Sequence, residues 1–121
     1  MSWTQTDPRA LELADRVFGV IEVLSGTEEY HATDPEDPLG RLHVATTHAL
    51  RSLSLAAVSA TPADRTVLLR TARWNAADGV HLLVPCCAEG LPHAESVLET
   101  MAGVVAELDE LLGEGPLEAE A

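Results

Sequence analysis

Apolar residues recur at three- and four-residue intervals along four stretches of the chain, a spacing that predicts four amphipathic helices. The stretches are DPRALELADRVFGVIEVLSG (residues 7–26), DPLGRLHVATTHALRSLSLAAVS (37–59), TPADRTVLLRTARWNAADGVHLLV (61–84) and LPHAESVLETMAGVVAELDELLG (91–113). Each opens with a proline, whose fixed φ and missing N–H suit a first helical turn. Asp7, Asp37 and Thr61 stand before three of these prolines as capping side chains.

Stepping 100° per residue assigns the faces. Helix one turns Ala10, Leu13, Ala14, Val17, Val20, Ile21 and Leu24 inward, and Leu11 and Phe18 widen that stripe beyond what one neighbour requires. Helix two directs Leu39, Leu42, Thr46, Ala49, Leu50, Leu53 and Ala57 inward, with His43 at the edge of the stripe and His48 nearly opposite. Helix four is the cleanest, with Ala94, Val97, Leu98, Met101, Val104, Val105, Leu108 and Leu112 on one side and Glu95, Glu99, Glu107 and Glu110 on the other. Helices one and four also align without a gap and share Gly19/Gly103, two glycines off the centre of the apolar face that cost helix propensity without serving the core.

Short connections on either side of helix three, and the longer acidic loop GTEEYHATDPED (26–37), fit an all-α fold, an antiparallel up-and-down four-helix bundle. Residues 1–113 are expected to form one helical domain and 114–121 a disordered acidic tail. Pro85 is expected to end helix three near Val84, so a short extended segment at residues 80–87 is the alternative there.

Helix three breaks the tidy pattern. Its inward face runs Val67, Leu68, Thr71, Trp74, Asn75, Asp78 and Leu82, which sets an amide and a carboxylate where a bundle wants leucines. One reading is a ligand-binding pocket walled by Trp74, Asn75 and Asp78, with His43 reaching in from helix two as a proton carrier. The other makes Asp78-Gly79 an exposed turn at the end of a shorter helix. Arg65, Arg70 and Arg73 lie on the outer side, placed to pair with the glutamates of helix four in the same bundle or in a second copy.

The remaining chemistry is sparse. His31, His43, His48, His81 and His93 make no H-x-x-x-H pair, and adjacent Cys86 and Cys87 suit neither a bridge with each other nor one tetrahedral ion, so two free thiols and no metal or other cofactor are expected. No G-x-S-x-G or phosphate-cradling glycine loop occurs.

Charge narrows the partners. The chain carries a formal net charge of −13, and all seven basic residues are arginine. Residues 1–73 hold ten acidic and seven basic side chains, whereas 74–121 hold ten acidic and none basic. Such a field repels nucleic acid and anionic membranes. Neither a signal peptide nor a membrane span is visible, which points to the cytoplasm, and the absence of lysine is associated with GC-rich bacterial coding. The expected object is a small acidic bundle acting through protein contacts, as a homodimer or as an adaptor or regulator. The alternatives are a small-molecule binding protein or enzyme using the helix-three pocket, and an acidic nucleic-acid mimic.

Overall fold

The structure is a computed structural model that describes residues 6–32 and 34–113. Four helices, α1 (Pro8–Gly26), α2 (Pro38–Ala57), α3 (Pro62–Ala88) and α4 (Ala94–Gly113), are joined by a 3-10 turn at Glu28–Tyr30 and short loops, with no strand among the described residues. Each helix packs on two neighbours, α1 and α3 both lying between α2 and α4, so the four close a bundle. The proposed tail, 114–121, lies outside the described residues.

Local chemistry starts the helices where the prolines stand. The Asp7 carboxylate accepts the N–H groups of Arg9 and Ala10, and the Thr61 hydroxyl accepts that of Asp64 at 3.1 Å. Asp37 makes no such bond. Helix four begins later than its proline: Pro92 and His93 lie outside it, His93 in the left-handed region at φ 64°, and the His93 carbonyl takes the Val97 N–H at 2.9 Å.

Two expectations for α3 are corrected. The helix runs 27 residues without a turn at Asp78-Gly79 and without an extended segment at 80–87. Pro85 sits inside its last turn, where the missing N–H costs only one bond, and the helix continues: Glu89 N–H reaches the Pro85 carbonyl at 3.0 Å. It stops at Gly90, whose φ of 73° lets Gly90 and Leu91 return their N–H groups to Cys87 and Cys86, each at 3.0 Å, a closed Schellman turn.

The third correction is rotational. The buried line of α3 is Leu69, Ala72, Ala76, Gly79, Leu83 and Cys86, about 100° (one residue) from the face expected on the larger apolar side chains. Small residues occupy the buried line of α2 as well: Gly40, Ala45, Thr46, Ala49, Ser52, Ala56 and Ala57 accompany Leu42 and Leu53. Small side chains let backbones approach closely, and the α2–α3 contact is the most extensive in the bundle. A Cβ built on Gly79 would stand 3.4 Å from Met101 Cε and 4.0 Å from both Leu42 and Thr46, so three helices meet there. Thr46, fully buried, bonds the Leu42 and His43 carbonyls of its own helix, each at 3.0 Å, and leaves no polar debt in the core. The stripes expected for α1, α2 and α4 match the buried and half-buried residues found.

Surface ion pairs tie α4 to both neighbours. Arg9 and Arg16 of α1 reach Glu110 at 4.0 Å and Glu107 at 3.3 Å, and Arg73 of α3 binds Asp109. The glutamates of α4 thus serve α1, and the α3 arginine takes an aspartate instead.

The glycines separate by surroundings. Nothing lies within 4 Å of a Cβ at Gly19 or Gly103, whereas one at Gly40 would strike the Asp34 carbonyl oxygen and stand 2.8 Å from Pro35 Cα. Gly19→Ala and Gly103→Ala should each raise stability by about 0.5–1 kcal/mol in urea unfolding. Gly40→Ala should lower it by about 1–3 kcal/mol, because the loop must lift off the first turn of α2.

Candidate interaction surface

Of the residues singled out on helix three, Trp74 and Asp78 share its outer side and Asn75 stands on the flank toward α2. Trp74 is 74% exposed, the most open of the large hydrophobic side chains among the described residues. Asn75 is half-buried and turns its amide back on its own helix, donating to the Thr71 carbonyl at 2.9 Å. Asp78 is half-buried beside them. His43 is exposed and borders a different feature, a cleft of about 480 Å³ between the end of α1 and the start of α2 that also involves Leu24, Tyr30 and Leu39. The fold therefore does not bring His43 to the other three, and neither this cleft nor the one beneath the loop takes a residue from Trp74, Asn75 or Asp78.

What surrounds Trp74 is a face, not a pocket. Along α3, Val67 (61% exposed), Thr71, Trp74 and Asp78 follow one another at helical spacing, and along α2 so do Val44, His48, Arg51, Leu55 and Val58. These two lines adjoin. Arg73 marks the flank of α3 that meets α4, and the opposite flank holds half-buried Leu68, Asn75 and Leu82 toward α2. With α4 also on the Arg9/Arg16 flank of α1, the hand of the bundle is set, and the Ala45/Ser52/Ala56 flank of α2 turns toward α3. Val44, His48, Arg51 and Leu55 lie just outside that flank. Leu11 and Phe18, each 48% exposed, form a smaller apolar line on α1.

One end of the bundle is closed by a side chain that the sequence pattern did not flag. Tyr30, the chain's sole tyrosine, is 5% exposed, and its hydroxyl donates to the Pro92 carbonyl at 2.6 Å, tying the α1–α2 loop to the α3–α4 loop. Its only sequence signal was an aromatic ring in an otherwise acidic loop. Beneath this loop a second cleft of about 470 Å³ runs past His31, Leu39, Leu82, Pro85 and Cys86.

The cysteines are free, Cys86 buried and Cys87 half-buried. Burial pushes the Cys86 thiol up from its ordinary 9.0, with Glu89 and Cys87 adding to it. Burial likewise raises the Tyr30 phenol, helped by Cys86, Cys87 and Glu29. A raised thiol is a poor nucleophile, and no charged side chain is buried among the described residues. Nor do three His, Cys, Asp or Glu side chains among them group to hold a metal ion.

No helix of the described residues is long and apolar enough to cross a membrane. The sequence matches no protein family, no curated protein and no solved structure.

The buried thiol and phenol set a pH dependence. Both groups hold their protons more tightly folded than unfolded, so the stability they contribute is complete below their ordinary values and is lost as pH rises through the raised ones. The melting temperature should stay level to about pH 8 and fall as the pH passes the ordinary thiol value of 9.0, less steeply in Cys86→Ala. At neutral pH a thiol reagent should modify Cys87 readily and Cys86 only as the protein unfolds.

Proposed function

We propose that this chain is a helical-bundle interaction protein that works through its surface, assembling as a homodimer and serving as an adaptor or regulator of other proteins in the cytoplasm. The observation that carries this reading is the exposed apolar face of α2 and α3, on which Val44, Leu55, Val67 and Trp74 stand 40–74% open. Exposed tryptophan is costly to leave in water and is enriched at the centres of protein interfaces. The core supports the same reading, since its buried hydroxyls among the described residues, Thr46 and Ser52, are neither acids nor bases near neutral pH, and burial holds the Cys86 thiol and Tyr30 phenol protonated there. With a net charge of −13 the chain also makes a poor ligand for phosphate backbones.

Light scattering after size exclusion tests the reading. At tens of micromolar the mass should be near twice the 12.9 kDa of one chain. A monomer under those conditions would contradict self-association.

A further inference from the structure

Resting on the self-association just proposed, we infer that two copies pair through the α2–α3 face, about a twofold axis parallel to the helices, so that α2 of each copy lies on α3 of the other.

Charge comes first. A second copy of so acidic a chain is repelled by most of the surface, and docking requires a place where acids are absent or answered. Residues 38–63 contain no acidic residue, and α2 shows Arg41, His48 and Arg51 outward. The adjoining line of α3 shows Asp78 with Trp74 and Val67. The face is thus divided lengthwise into a half on α2 that holds Arg41 and Arg51 and no acid, and a half on α3 that holds Trp74 and Asp78, with Arg70 and His81 at its far edge.

Register comes second. Gly79 lies against Leu42 and Thr46, so it is level with Val44. The two helices run antiparallel with the same rise per residue, which places His48 level with Asn75, Arg51 with Ala72 and Leu55 with Leu68. A twofold axis parallel to the helices keeps those levels and swaps the halves. Leu55 then meets the partner's Val67 and Thr71, Arg51 meets the face of the partner's Trp74, His48 lies between the partner's Trp74 and the partner's Asp78, and Val44 stands one residue's rise from the partner's Asp78 at the edge of the contact. Leu55 meets an apolar side chain, the guanidinium meets an aromatic ring and the imidazole meets a carboxylate, and each contact occurs twice. The other in-plane axis, across the helices, would set α2 on α2 with Arg51 facing the partner's Arg51 at its centre. Charge selects the first.

The test uses two charge variants of the full chain, His48→Asp and Asp78→Lys, followed by light scattering and analytical ultracentrifugation. His48→Asp sets carboxylate against carboxylate at both symmetry-related positions, and Asp78→Lys removes the anion and adds a cation to a face that already carries Arg41 and Arg51. Each should weaken dimerisation by more than about tenfold while keeping the helical circular dichroism. In an equimolar mixture the dimer containing one of each pairs the new carboxylate with the new ammonium at one position and keeps His48 against Asp78 at the other, and dimer of wild-type affinity should return. Trp74→Ala, which removes an exposed ring, should also weaken association and gives an arm free of charge change. Variants that associate like wild type, or a mixture that stays apart, would overturn this face while leaving self-association standing. A wild-type chain that is monomeric at tens of micromolar would overturn the self-association itself.

Discussion

The close packing of α2 on α3 through small side chains is the constraint on which the rest of the structure depends. Ala72, Ala76 and Gly79 on α3, with Ala45, Ala49, Ser52 and Ala56 on α2, leave room for two backbones and little between them. A helix that buries its smallest residues must turn some of its largest ones elsewhere. Leu69, Leu83 and Met101 fill the space that remains toward α4, while Trp74 and Val67 are carried to the outside. The exposed face is thus a consequence of how the core is packed, not a separate decoration.

The same constraint explains where chemistry is found. Because the core takes alanine, glycine and leucine, its fully buried Thr46 hydroxyl is satisfied within its own helix, and every charged side chain among the described residues keeps contact with water. The charged and polar groups therefore lie at the surface and along the clefts at the Tyr30 end. That end is held by one long-range hydrogen bond and by the Gly40 contact, which presses the α1–α2 loop onto α2. The opposite end is held by the Asp7 N–H bonding the Ala57 carbonyl at 2.8 Å, with the Arg9–Glu110 ion pair, a weak contributor individually, beside it.

Much of this was legible in the sequence. Periodicity located all four helices, and for α1 and α4, whose buried positions are filled by valine, leucine and methionine, it also found the correct face. It failed on α3 for a physical reason. Hydrophobic weight follows side-chain size, so Leu68, Trp74 and Leu82 outvoted Ala72, Ala76 and Gly79, although at close range the small residues decide the contact. The rule that proline ends a helix also misled, because Pro85 falls in the final turn, where a lost N–H costs least. Tyr30 was missed because its partner, the Pro92 carbonyl, lies 62 residues away and carries no side-chain signal. His43 was grouped with Trp74, Asn75 and Asp78 only while α3 was thought to face the other way.

The rotation of α3 is the claim that everything above requires, and one comparison of neighbouring positions tests it most directly. Ala76 is fully buried and Ala77 is half-buried one residue further round the helix. The same substitution, alanine to leucine, at each position changes volume and propensity equally and differs only in where the new side chain points. Urea unfolding should show Ala76→Leu losing about 1–3 kcal/mol of stability and Ala77→Leu staying within about 0.5 kcal/mol of wild type. An Ala76→Leu protein as stable as wild type would mean that α3 does not pack through its small residues, and the face built around Trp74 would fall with it.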